Sequence, residues 1–273
     1  MKQRLDLLLV ELGLAPSRQI AQALIMSGRV AVEGRTSDKP GSRVDPAARI
    51  TVNRPDVSYV GRGGVKLAGA LDTFGIDLKD AVALDVGSST GGFTDCMLQR
   101  GARRVVAVDV GRGQLDWRLR NDSRVIVAEG MNARYLSAGD LPDLSSGADL
   151  ITIDVSFISL RLILPAVSGF LRGGEHPGSI LALVKPQFEV GRGLVGRGGI
   201  VRDPALRRQA LIGIAGFARD INLGVIGLAR SPITGSEGNM EYFIRLAAGA
   251  AGLTAAQIEN EALGLTGEEP SHA

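Results

Sequence analysis

The sequence predicts an α/β protein: a mainly parallel sheet of seven strands covered by helices on both faces, preceded by a small α+β domain. Three observations carry this expectation. From residue 65 onward, short apolar runs alternate with stretches of helical periodicity. One such run, Ala83-Leu84-Asp85-Val86, opens directly into a loop of glycines and small hydroxyls. The first sixty residues follow a shorter rhythm of their own.

In chain order, Leu5, Leu8, Leu9 and Leu12 recur at helical spacing and Gly13 closes that helix. Ser17 is placed to cap a second helix carrying Ile20, Ala23, Leu24 and Ile25, stopped by Gly28. Val30 and Val32 alternate as in a strand, Glu33-Gly34 makes a turn, and Arg49 to Val52 forms a last strand. Tyr59 to Gly64, Y-V-G-R-G-G, lacks periodicity and reads as a linker between domains at 1–58 and 65–252. A helix starts at Val65. Strands follow at 82–86, 104–109, 125–129 and 149–154, with a helix at 92–100. Leu160 to Leu171 reads as one helix, Ser179 to Lys185 as a buried strand, and Pro204 to Asp220 as a helix. Strands at Leu223 to Ala229 and Met240 to Leu246 complete the sheet, and 253–273 reads as a C-terminal tail, its last ten residues polar and frayed.

The chain is organised around Asp85 to Asp95, a strand, turn and helix start. Gly87, Gly91 and Gly92 remove Cβ atoms where a ligand must approach the backbone, and the helix that follows points free N–H groups at it. The next strand ends in Asp109, where a carboxylate at the sheet's C-terminal edge can accept from both hydroxyls of a ribose. A dinucleotide site would need G-x-G-x-x-G, whereas this loop reads G-x-x-x-G-G, which suits a ligand without a pyrophosphate or a glycine-rich turn of another Rossmann-like fold.

Composition excludes several classes. No apolar run approaches the roughly 20 residues of a membrane helix, and the N-terminus lacks a signal-peptide pattern, so the expectation is a cytoplasmic protein without a membrane partner. The single cysteine, Cys96, rules out an internal disulfide, and with only His176 and His272 no metal site is expected. Net charge is +2, but residues 1–60 hold nine Lys or Arg against six acids, so the basic surplus is N-terminal and fits either a polyanion partner or a plain solvated surface. Four charged residues stand where apolar periodicity predicts none: Lys66, Asp154 in I-T-I-D-V-S-F, Lys185 in A-L-V-K-P-Q-F-E, and Glu241 in G-N-M-E-Y-F. At the C-terminal edge of a parallel sheet such residues line a ligand crevice; singly, each is equally a capped strand end.

The loop from Asp85 through Gly87, Ser88, Ser89, Thr90, Gly91 and Gly92 resembles the first motif of S-adenosylmethionine-dependent methyltransferases, in which Asp109 matches the acid that holds the adenosine ribose and Asn132 falls where the adenine is contacted. The order Lys66, Asp154, Lys185, Glu241 resembles the catalytic tetrad of ribose 2′-O-methyltransferases of the FtsJ class. Together with D-V-S-F-I-S, V-K-P-Q-F-E and S-P-I-x-G-x-x-G-N-x-E-Y-F, it makes nearly the whole chain similar to the TlyA family, known both as hemolysins and as ribosomal RNA (cytidine-2′-O)-methyltransferases. In the linker, Gly61 stands where many members have serine.

Residues 2–60 resemble the RNA-binding domain named after ribosomal protein S4, which implies that Arg4, Arg18, Gln22 and Arg29 meet RNA phosphates. The R-L-D at 4–6 also occurs around the catalytic aspartate of pseudouridine synthases; within an amphipathic helix, Asp6 reads instead as a first-turn acid answering the helix dipole.

The resemblance thus implies an enzyme that uses S-adenosylmethionine to methylate a cytidine ribose in rRNA of one or both ribosomal subunits. A ribose hydroxyl needs its proton drawn off as it attacks. Lys185, crowded by burial and by Lys66, is the expected base, with Asp154 and Glu241 holding the amines; Lys66 and Lys185 are interchangeable at this level. The basic glycine-rich stretch 190–203 either closes over the ligands or is a surface loop. Two other functional classes compete: a membrane-lytic protein, separable by liposome leakage, and a non-catalytic ribosome assembly factor, separable by calorimetry with S-adenosylmethionine.

Overall fold

The computed structural model describes residues 2–15, 17–26, 28–52, 59–174, 177–235 and 237–267. The chain forms two compact units, Met1–Ser58 and Tyr59–Ala273.

In the first unit, β1 (Gln3–Arg4) leads into α1 (Leu5–Glu11) and α2 (Arg18–Met26), followed by β2 (Val30–Val32), β3 (Arg35–Ser37), β4 (Arg43–Val44) and β5 (Ile50–Val52). Ser17 caps α2 by accepting from the Ile20 N–H at 3.3 Å. Gly13 and Gly28 take left-handed φ values of 66° and 69° where the helices end. Glu33 and Gly34, also at positive φ, turn β2 back onto β3, a strand the sequence pattern does not show because Arg35-Thr36-Ser37 is polar throughout. The order β3-β2-β5 is antiparallel, and Leu5, Leu8, Leu9, Ala21, Ile25 and Val30 close the core.

The second unit begins earlier than expected. The unit starts at Tyr59 and its helix α3 spans Arg62–Phe74, so all of the expected linker at 59–64 belongs to this unit. Its glycines serve close packing rather than slack: a Cβ on Gly64 would lie 2.2 Å from Tyr59 Cγ, and one on Gly63 would lie 3.1 Å from Phe93. The Val60 N–H donates to Asp95 Oδ2 at 2.8 Å, tying the stretch to the second helix.

The sheet then forms from β6 (Val82–Val86), α4 (Gly92–Gln99), β7 (Arg104–Asp109), the short α5 (Trp117–Arg120), β8 (Val125–Glu129), β9 (Leu150–Ile153), α6 (Leu164–Val167), β10 (Ser179–Val184), α7 (Pro186–Glu189), α8 (Pro204–Asp220), β11 (Leu223–Arg230) and β12 (Tyr242–Ala248). Strand order is β11-β12-β10-β9-β6-β7-β8; β12 runs antiparallel to both neighbours, and β10, β9, β6, β7 and β8 pair in parallel. Alternate residues feed opposite faces: Val106, Ile151 and Ile180 join the core under α8, Val105, Leu150 and Leu181 the core under α3 and α4.

Two expectations fail here. Leu160 to Leu171 is not one helix: 3-10 turns at Leu160–Leu162 and Ser168–Phe170 flank four residues of α6. Pro165 has no N–H to donate back and is tolerated only in the first turn of α6, so a helix begun at Leu160 cannot continue across it. The expected C-terminal tail contains α9 (Ala255–Thr266), opened by a Thr254/Gln257 capping box. Its Ile258 and Ala262 are buried in the core, and Glu261 accepts from the Leu228 N–H of edge strand β11 at 3.0 Å. Residues beyond 267, like His176 and His272, lie outside those described.

Candidate active site

At the end of β6 the N–H groups of Gly87 and Ser88 both donate to Val108 O, at 2.8 and 3.1 Å, which bends the loop across the top of β7. Gly87 has φ 84°, and a Cβ there would sit 2.5 Å from the carbonyl oxygen of Asp154. Only glycine fits. Asp109 is held from both sides, Oδ2 accepting from the Ser89 N–H at 2.8 Å and Oδ1 from the Gly111 N–H at 2.7 Å. A cavity of about 430 Å³ opens here, lined by Gly87, Ser89, Asp109, Asn132 and Asp154 among others. Asn132 lies at its edge and caps a 3-10 turn by accepting from the Arg134 N–H at 3.1 Å. A smaller adjoining cavity of about 200 Å³ is lined by Ser88, Thr90, Gly92, Asp154 and Lys185. Gly91, at φ 97°, lines neither; a Cβ there would strike Leu119.

Asp85 does not reach either cavity. It is wholly buried beneath the loop, accepting from Thr94 Oγ1 at 2.6 Å and Thr152 Oγ1 at 3.0 Å. The reason is strand alternation, which points Asp85 toward α4 together with Ala83. Burial pushes its carboxyl up to about 6, against the two hydroxyl donors that favour the charged form. The folded state therefore holds the proton between roughly pH 4 and 6 while the unfolded chain releases it, so this group's contribution to stability falls as pH rises through that window. Relative to wild type, Asp85→Asn is expected to gain in thermal stability as pH is raised from 4 to 7, because the neutral amide lacks that loss; melting curves across this range check it.

The four charged residues that break apolar periodicity come together as two ion pairs, Lys66–Glu241 buried and Lys185–Asp154 with its acid half-buried. Lys66 Nζ meets Glu241 Oε2 at 2.6 Å, and Lys185 Nζ meets Asp154 Oδ1 at 2.7 Å. Lys185 also donates to Ser156 Oγ at 2.8 Å; its approach to Asp154 is an ion pair without the angle of a directed hydrogen bond. Asp154 and Lys185 directly follow β9 and β10, and Lys66 projects from α3. Glu241 arrives from the opposite direction: β12 is antiparallel, so the residue preceding its start lies at the edge where the parallel strands end.

A cleft of about 580 Å³ opens over these pairs, lined by Lys66, Lys185, Glu241, Ser156, Phe157 and Phe188 among others. Phe157 is 90% exposed, carries φ 64°, and packs on Phe188 with ring centroids 5.1 Å apart. A bulky residue held in left-handed backbone at full exposure is a strained arrangement of the kind found at ligand sites. The stretch 190–203 contributes Val195, Gly198 and Gly199 to the cleft wall, fixed by buried Asn239, which accepts from the Val201 N–H at 3.0 Å and donates to Gly199 O at 2.9 Å. Ser156 and Phe157, within D-V-S-F-I-S, and Asn239, within the stretch before Glu241, were legible only as parts of the motifs that carry the family resemblance, with no role of their own.

In the first unit, three of the four expected RNA contacts converge. Arg4, Arg18 and Gln22 all donate to Asp6, which is fully buried, so Asp6 is a side-chain hub rather than merely an acid at a helix start. The Arg4 guanidinium, helped by Gln22 and Arg18, holds its carboxyl well below the usual range. Arg29 is exposed and outside this cluster.

A doubly wound sheet with one antiparallel strand, a glycine loop answered by an acid on the next strand, and paired lysines and acids at the same edge define a Rossmann-like methyltransferase fold. Comparison with known proteins gives the family. The FtsJ-like methyltransferase profile matches residues 59–248 and the S4 domain profile residues 3–50; the chain belongs to the FtsJ-like methyltransferase family. It is 48% identical over 245 residues to YqxC of Bacillus subtilis, covering 90% of this chain and 85% of that one. It is 46% identical over 247 residues to the 16S/23S rRNA (cytidine-2′-O)-methyltransferase TlyA of Mycobacterium tuberculosis, covering 90% of each. The solved structure of a hemolysin-named protein from Streptococcus thermophilus superposes with a TM-score of 0.72 at 41% identity, covering 96% of this chain and 95% of that one. Among the described residues no helix is long and apolar enough to cross a membrane.

Proposed function

We propose that the protein transfers a methyl group from S-adenosylmethionine to the 2′-hydroxyl of a cytidine ribose in ribosomal RNA, and so works in the cytoplasm. The observation that carries this reading is the meeting of two lysine–acid pairs beside the glycine loop; the similarity to the M. tuberculosis rRNA methyltransferase supports the substrate. The pocket residues fit the cofactor: Gly87 lets the loop lie against the Asp154 carbonyl in the cavity wall, and Asp109 presents a carboxylate there for ribose hydroxyls. Asn132 stands at the same cavity. When bound, S-adenosylmethionine would supply a methyl carbon made electrophilic by its sulfonium, the carbon–sulfur bond breaking to leave a neutral thioether.

The chain's own part is to position the hydroxyl and take its proton. Ser156 accepts along one direction around Lys185 Nζ and Asp154 lies against a second as an ion pair, leaving the third for the ribose hydroxyl. In the neutral amine that third direction holds the lone pair, which accepts the proton as the oxygen attacks carbon. The Lys66–Glu241 pair completes the wall of the cleft, and Phe157 offers an aromatic face on which a base can stack. Positioning of the hydroxyl beside the cofactor cavity would supply the rest of the acceleration.

Mass mapping of methylated ribose in rRNA incubated with the protein and S-adenosylmethionine tests this; an rRNA with no added methyl group, or one methylated only on bases, overturns it. Asp109→Ala is expected to weaken cofactor binding by the value of one or two charge-assisted hydrogen bonds, about 1.5 to 3 kcal/mol each, with RNA affinity near wild type, as calorimetry would read. Deleting residues 1–58 is expected to leave a folded unit that binds cofactor but has lost most of its RNA affinity, measured by filter binding.

A further inference from the structure

We infer that Asp6 organises Arg4 and Arg18 into a preset clamp for one phosphodiester group of folded RNA, acting as a positioning residue. The inference rests on the reading that the first unit meets RNA. The Asp6 carboxylate is 0% exposed, while the side chains of Arg4 and Arg18 are 42% and 54% exposed. Arg4 grips it with Nε at 3.0 Å to Oδ1 and Nη2 at 2.9 Å to Oδ2, which fixes the plane of that guanidinium. Arg18 reaches the same Oδ2 with Nε alone at 3.0 Å, and Gln22 Nε2 adds a third donor there at 2.9 Å.

Two cations sharing one carboxylate oxygen stand side by side. Left to themselves they would splay apart; the buried carboxylate holds them together and cancels one charge of the two. What remains is a single uncompensated positive charge, partly exposed, carried by planar N–H forks whose outward edges are unspent within the cluster. That is the complement of one phosphodiester, whose paired oxygens suit guanidinium forks better than a point charge does. Because the rotamers are already fixed, little side-chain ordering remains to oppose binding.

The decisive comparison sets charge against geometry in the full chain, with rRNA binding measured over a range of salt. Asp6→Asn makes the unit more positive, so a surface acting by charge alone would bind rRNA more tightly. The clamp instead predicts binding weaker by about tenfold, the value of a lost charge-assisted contact, and a salt slope shallower by about one. Arg18→Lys keeps the charge at a half-exposed position yet removes the Nε link and the fork; the clamp predicts a loss close to that of Arg18→Ala. Should Asp6→Asn fail to fold by circular dichroism, Arg18→Lys decides alone. If Arg18→Lys binds like wild type while the Arg4→Ala/Arg18→Ala variant is weak, the clamp is wrong and charge suffices. If that double variant itself binds like wild type, the reading that this face meets RNA has failed instead. Cofactor affinity is expected to stay constant in all of them.

Discussion

Lys185→Ala is expected to slow single-turnover methylation by about 100- to 10,000-fold, the usual range for general-base assistance, with affinities for cofactor and RNA little changed. Lys185 is the residue of the two pairs with a neutral partner as well as an acid, Ser156 at 2.8 Å beside Asp154 at 2.7 Å, so its free direction is fixed. The variant also leaves the Asp154 carboxylate without its counter-charge, so it is expected to melt at a lower temperature. The two effects separate cleanly if turnover is counted per folded molecule. A protein that melts early yet methylates at the wild-type rate would remove Lys185 from the chemistry and leave it as a strand-end ion pair.

The sheet and its charged edge were legible because they rest on rules with period two. Strand runs such as Val105 to Val108 are apolar at every position, and Leu150 to Ile153 is broken only by the buried Thr152, as suits strands covered on both faces, and an acid or lysine ending such a run has nowhere to go but the edge. The same rule, followed one step further, would have separated Asp85 from the ligand residues, since it shares a face with Ala83 and meets Thr94 below the loop. The motif suggested otherwise because the loop's glycines and the acid before it are contiguous in sequence. Likewise Gly63 and Gly64 look like slack in a linker, and their purpose shows only when Tyr59 and Phe93 are seen against them. Phe157 was illegible in a stronger sense: neither its backbone strain nor its exposure is encoded by any local pattern. Asp6 was visible as a residue, but the convergence of donors from positions 4, 18 and 22 depends on how α1 meets α2.

Glu241→Ala is expected to destabilise the catalytic unit by about 3 to 5 kcal/mol, because it strands the buried Lys66 ammonium without the carboxylate 2.6 Å away. Removing both charges tells more. A buried ion pair is often no better for stability than apolar groups of similar volume, since each ion has lost its hydration. Lys66→Met combined with Glu241→Gln is therefore expected to recover most of the stability lost in Glu241→Ala, as denaturant unfolding would read. Methylation should not return with it. If the pair were there only to close the end of β12 against α3, the double variant would be both stable and active, and the cleft's second pair would have no part in the reaction. If it holds the acceptor or tunes the neighbouring lysine, the double variant is stable and slow, and that combination, folded and cofactor-binding but unable to turn over, is the expected result.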